Sequence, residues 1–128
     1  MSESKKILLP HIHFEGEMDL IKSMPDQETV ITVAEAMKQL GDPSRLRIFW
    51  LLCHCEECVI NIAAATEMSS PAVSHHLRLL KSAGLIVSSR RGKEMYYRSS
   101  GTPIAEKLHH TIDEVAMISC PEVAKDDT

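Results

Sequence analysis

INIAAATEMSSPAVSHHLRLLKSA, residues Ile60 to Ala83, reads as two helices meeting at a sharp corner. The first, about Ile60 to Glu67, is alanine-rich, and Ala63, Ala64 and Ala65 let another backbone approach closely. Met68-Ser69-Ser70-Pro71 breaks the pattern, because a serine hydroxyl can cap the orphan amides of a helix start and proline is pre-set for the first turn. In the second helix Val73, Leu77 and Leu80 fall at i, i+4, i+7 with Leu79 beside them, while Ser74, His75, Arg78 and Lys81 take the other faces. The pair has helix-turn-helix spacing, with the second helix polar where it would meet a DNA groove and apolar where it would meet a core.

On the amino-terminal side, Val30, Val33, Ala34, Met37 and Leu40 make a helical stripe over Glu28 to Leu40, ended by Gly41. Pro43 starts a further helix through Leu52, with Leu46, Phe49 and Trp50 turned inward and Arg45 and Arg47 more exposed. On the carboxyl side, Ile86 to Ser89 and Glu94 to Arg98 are strand-like and flank Arg90-Arg91-Gly92-Lys93, where the glycine suits a hairpin turn. Beyond Gly101 and Pro103, Ile104, Leu108, Ile112 and Val115 form one apolar stripe on a terminal helix, and such a stripe needs a partner. The expected fold class is mainly α with a small β-hairpin: a winged helix-turn-helix, dimeric through its first and last helices, since a palindromic DNA site needs paired reading heads. Residues 27–119 would form this domain. Residues 1–26, with Pro10 and Pro25 and little periodicity, are expected to be a mobile arm with a short helix near Gly16 to Lys22, and 120–128 a flexible tail.

A chain of 128 residues fits one domain. Its apolar share of 44% suffices for a core, but only five residues are Phe, Trp or Tyr, so that core must be aliphatic and methionine-filled. Small cores of this kind are often completed by dimerisation. No apolar run approaches the ~20 residues of a membrane span and the start has no signal-peptide pattern, so a cytoplasmic protein with no membrane partner is expected. The net charge of −4 is unevenly spread: His75 to Arg98 holds six cations and one anion, and the rest holds eight cations and seventeen anions. A cationic helix and hairpin on an acidic body is a plausible footprint for double-stranded DNA. Base-edge contacts are expected from Ser70, Ala72, Ser74, His75 and Arg78, with Lys81 further along and Ser69 either touching DNA or capping the helix. Arg90, Arg91 and Lys93 suit phosphate or minor-groove contacts. Nothing supports an enzyme: there is no G-x-S-x-G elbow or phosphate-binding glycine loop, and Ser74 and His75 point to different helix faces.

Three of the four cysteines, Cys53, Cys55 and Cys58, lie within six residues, with His54 among them. In a cytosolic chain these are expected to be thiols rather than a disulfide framework. Soft thiolates favour zinc, cadmium, lead, mercury or trivalent arsenic, and close-set thiolates are costly unless a cation neutralises them. Disulfide formation among the same residues, in a thiol-redox or reactive-sulfur sensor, is the alternative. Cys120 reads as incidental.

Several of these segments resemble the ArsR/SmtB family of winged-helix repressors, which release DNA when they bind metal ions or other inducers. The likeness rests on Ser69, Pro71, Val73-Ser74-His75-His76-Leu77, Leu80, Gly84-Leu85, Arg91-Gly92-Lys93 and Tyr96-Tyr97, and covers roughly Thr32 to His110. GDPSRLRI, Gly41 to Ile48, is similar to the family's start of the preceding helix. The resemblance implies a homodimer on operator DNA and suggests where an inducer binds. Members that sense soft metals carry a motif like E-L-C-V-C-D-L, and counting back sixteen residues from Ser74 puts its first cysteine on Cys58. Ile60 and Asn61 stand where the second cysteine and the aspartate would be, with Cys53 and Cys55 upstream as replacements. The CxCxxC spacing also matches an arsenic-binding trio of some members, displaced here by five residues toward the amino terminus.

Amino-terminal arms of some members donate metal ligands across the dimer, which singles out His11 and His13; incidental histidines on a solvated tail are the other reading. A second family site on the last helix would begin at about Gly101 and Pro103, which have no ligating side chains. His109, His110, Asp113 and Glu114 still form i, i+3 and i, i+4 pairs, suited either to zinc, nickel or cobalt or to a polar face. The function expected is therefore a repressor that releases its operator when Cd, Pb, Zn or As is held by Cys53, Cys55 and Cys58.

Overall fold

The computed structural model describes residues 7–118, and three of its helices begin in the same way. Asp42 precedes Pro43, Thr102 precedes Pro103, and Ser69 stands two residues before Pro71; each of the three side chains accepts the backbone N–H three residues on, from Arg45, Ala105 and Ala72 respectively. A cap of this type contributes about 1 kcal/mol and fixes where the helix starts. The elements are α1 (Glu17–Lys22), α2 (Gln27–Gln39), α3 (Pro43–Leu52), β1 (Glu57–Cys58), α4 (Val59–Thr66), α5 (Ser70–Ser82), β2 (Ile86–Arg91), β3 (Glu94–Ser99) and α6 (Pro103–Ala116). Asp26 caps α2 through the N–H of Thr29. The expected short helix in the arm is present as α1, while Cys120 and the tail 120–128 lie outside the described residues.

Ile48, Phe49 and Leu52 of α3, Ile62 of α4, Val73, Leu77 and Leu80 of α5, and Leu85 and Ile86 entering the sheet form the core, with Ala105 of α6 closing it. The helix-turn-helix thus rests its apolar stripe on α3 and leaves Ser74, His75 and Arg78 exposed. Arg45 departs from expectation. It is half-buried, because its Nε donates to the Gln39 carbonyl at 2.8 Å and its guanidinium meets His76 Nδ1 at 3.3 Å, tying the end of α2 to α5 through the start of α3.

The sheet is larger than a hairpin. Its order is β1-β3-β2, all antiparallel, with Cys58 opposite Tyr96 and Glu57 opposite Tyr97. The turn is also shorter than the sequence suggests: Arg90 and Arg91 continue β2, Arg91 pairs with Glu94, and only Gly92-Lys93 connects the strands. Gly92 adopts a φ of 62°, which a glycine takes without the Cβ penalty. Because strand side chains alternate, Arg90 and Arg91 face opposite ways rather than acting as one cationic tip.

The apolar stripes of α2 and α6 behave differently. On α2, Ala36 and Leu40 are buried, whereas Val30, Val33 and Met37 are exposed and line an apolar groove with Pro25, Thr29 and Ala34. On α6, Ile104, Leu108 and Ile112 pack partly on the protein's own core, and Val115 is 80% exposed, so only the outer part of that stripe lacks cover in one chain. Among the described residues no helix is long and apolar enough to cross a membrane.

Candidate functional site

The outward face of α5 carries Ser70, Ser74, His75, Arg78 and Lys81, all exposed, and Ala72, half-exposed. Ser69 is also exposed, but its hydroxyl accepts the Ala72 N–H at 3.3 Å, so it caps the helix. Arg78 meets His75 Nδ1 at 2.9 Å, and Lys81 donates to Ser88 Oγ at 2.7 Å, linking the helix to the first strand of the wing. Arg90, Arg91 and Lys93 are exposed at the wing's end. Arg91 stacks over the Tyr96 ring, 4.9 Å from its centroid, and pairs with Glu56.

His76 faces inward, against the cap of α3, with Nδ1 3.9 Å from Asp42 Oδ2. Burial is the main cause holding its imidazole below the ordinary value, Arg45 and His75 add to that, and Asp42 opposes it. The folded chain therefore takes up this proton less readily than the unfolded chain. The resulting stability is complete above about pH 6.5 and is lost as pH falls through the depressed folded value. Acidification from pH 7.5 to 5 should thus lower the melting temperature, and His76→Gln should flatten that part of the profile; an unaltered profile in the variant would assign the proton uptake elsewhere.

The three clustered thiols do not open onto one cavity. Cys53 and Cys55 line a cleft of about 490 Å³ with Glu56, Arg98, Ser99, Gly101 and Glu106, between the end of α3, strand β3 and the start of α6. Cys58 is 7% exposed and borders a separate hollow with Val59, Ile60, Lys93, Glu94 and Met95. No disulfide joins the three. The Cys55 thiol is pushed up by burial, with the charge of Glu57 adding to the effect. On the arm, His11 and His13 are exposed with their rings stacked 6.0 Å apart, and Glu17 accepts the backbone N–H of His13.

Sequence reading missed a contact on the terminal helix. His54, at the end of α3, lies with its Nε2 3.1 Å from His109 Nε2; His109 Nε2 is 3.1 Å from Asp113 Oδ2, and Asp113 Oδ1 accepts the Trp50 indole N–H at 2.8 Å. Burial first, then His109, hold the His54 imidazole below its ordinary value, while Asp113 opposes them. In the sequence His54 reads only as a neighbour of the cysteines, because its partner His109 is 55 positions away. His110 and Glu114 are exposed beside this network. Among the described residues of one chain, no three His, Cys, Asp or Glu side chains stand close enough together to hold a metal ion.

Comparison with known proteins agrees with this architecture. Residues 42–88 match the family model for bacterial regulatory proteins of the arsR family. The chain is 38% identical over 106 residues to the transcriptional repressor SmtB homolog of Synechocystis, covering 83% of this chain and 80% of that one. It is 35% identical over 88 residues to a cadmium resistance regulatory protein CadC homolog of Staphylococcus aureus, covering 68% and 72%. Its fold is similar to the homodimeric winged helix-turn-helix DNA-binding domain of a Mycobacterium bovis protein, with a TM-score of 0.63 and 35% identity over 74% of this chain and 89% of the other. A capped α5 resting its apolar stripe on the core, a cationic wing and repressors alike over most of both chains lead to one assignment: the chain belongs to the ArsR family of bacterial regulatory proteins.

Proposed function

We propose that the protein is a homodimeric repressor that binds double-stranded operator DNA and releases it when a soft metal or metalloid ion, such as cadmium, lead, zinc or trivalent arsenic, draws together Cys53, Cys55 and Cys58, which line two separate hollows in the free chain. The observation that carries this reading is β1. Cys58, the last of the three thiols, lies in a strand of the wing sheet opposite Tyr96, so a ligand on Cys58 and DNA at the wing would act on one hydrogen-bonded unit. The partner subunit's His11 or His13 is proposed to complete the ligand set from its arm. A bound soft cation would neutralise thiolates that otherwise repel. Similarity to a cadmium resistance regulator supports the same class of inducer.

Dimerisation is supported by the exposed Val30, Val33 and Met37 on α2 and by the homodimeric M. bovis relative. Operator contacts are assigned to Ser70, Ala72, Ser74, His75, Arg78 and Lys81 on α5, and to Arg90, Arg91 and Lys93 on the wing. Thiol-redox sensing through disulfide formation among the same cysteines is the alternative. One observation favours a second reading: His54, His109 and Asp113 gather at α6, a start for a zinc, nickel or cobalt site with His110 or Glu114.

A mobility-shift titration with the DNA upstream of the protein's own gene tests the DNA-binding part. Arg78→Ala and Ser74→Ala should each weaken binding by roughly 1–3 kcal/mol, the worth of a good base contact, with the melting temperature little changed. Wild-type affinity in both variants would move the reading head off α5.

A further inference from the structure

We infer that Glu56 is a positioning residue for the wing, and that its carboxylate occupies in the free protein the Arg91 guanidinium that a DNA phosphate takes in the complex. The inference rests on the DNA-binding part of the proposed function alone.

Three observations converge on Glu56. It pairs with Arg91 from β2 and lies 3.8 Å from Arg98 Nε of β3, so one carboxylate bridges two cations of the wing. Strand alternation explains the meeting: Glu56 stands two residues before Cys58, Cys58 is opposite Tyr96, and Tyr96 shares its face with Arg98 and with Arg91, which stacks on its ring. Finally, Glu56 and Arg98 line the cleft that also holds Cys53 and Cys55, so the same carboxylate borders the thiol cleft and holds a wing cation. The Glu56 side chain retains 22% of its exposure against 61% for Arg91, which makes the acid the anchored partner and the guanidinium the one able to swing to a phosphate. Wing cations gain affinity by neutralising phosphate, and an internal carboxylate competes for that gain.

Glu56→Gln keeps the size and removes the charge. The full-length variant and wild type would be titrated with operator DNA, without metal, across a range of salt concentrations. The expected result is tighter binding by about two- to fivefold near 0.15 M salt, in line with the small worth of an exposed ion pair, and a log–log salt slope steeper by up to about one. Glu56→Asp should fall between the two, and in an Arg91→Ala, Arg98→Ala background Glu56→Gln should have no effect. Equal affinity and slope in wild type and Glu56→Gln, with matched melting temperatures, would overturn the inference while leaving the proposed function standing. A persistent gain in the double-alanine background would overturn it too, by showing that the charge acts generally. Failure of the wild-type protein to bind the operator would remove the proposed function and this inference together.

Discussion

Met37→Asp is expected to convert the dimer into a monomer and to weaken operator binding about a hundredfold or more. In one chain Met37 is 57% exposed and lines the apolar groove on α2, with Val33 and Val30 preceding it on the same face. A charge there costs the folded monomer little, but it would have to be desolvated without a partner in a two-fold interface, where each substitution appears twice. Operator affinity falls further than a single contact could explain, because a dimer holds two recognition helices at a fixed separation and the second half-site is bound at high effective concentration. Sedimentation velocity reads the first effect and fluorescence anisotropy the second. Val115→Asp on α6 is the companion test. A Met37→Asp protein that sediments as a dimer would place the interface away from α2, and a monomer with undiminished operator affinity would show that paired reading heads are not required.

The second large effect concerns the inducer. Cys58→Ser should bind the operator as wild type does and no longer be released by the inducing ion, and Cys55→Ser should behave alike. Cys58 is buried in β1 of the wing sheet and Cys55 lines the cleft beside β3, so the two thiols flank Glu56 in the chain, one at the sheet and one at the cleft. Serine is close in size but binds soft ions far more weakly than thiolate, so the substitution removes the ligand and spares the packing. If both serine variants are released normally while His109→Ala, His110→Ala or Asp113→Ala is not, the sensing site belongs to α6.

The parts of this fold governed by neighbours in sequence were legible. Pro43, Ser69-Ser70-Pro71 and Pro103 mark helix starts, and the Val73, Leu77, Leu80 stripe shows which side of α5 is buried. What escaped depends on distant partners. Two residues of β1 are too few for any periodicity, and they become a strand only because β3 offers a free edge. Arg45 looked exposed from its helical position, and the Gln39 carbonyl and His76 draw it in. Extension of β2 through Arg91 separates two cations that look equivalent in RRGK, turning one of them toward Glu56. His54 met His109 through the packing of α3 on α6, which no local pattern encodes. Of the candidate site, the cysteine cluster was legible as chemistry, while its division between two hollows was not.

The most direct measurement is a titration of the wild-type protein–operator complex with cadmium, lead, zinc and arsenite, following DNA anisotropy and ultraviolet thiolate-to-metal absorption in the same cuvette. At least one of these ions is expected to release the DNA at near-stoichiometric concentration, with the thiolate band growing in step. Release without any thiolate band, or a saturated thiolate band with the DNA still bound, would contradict it.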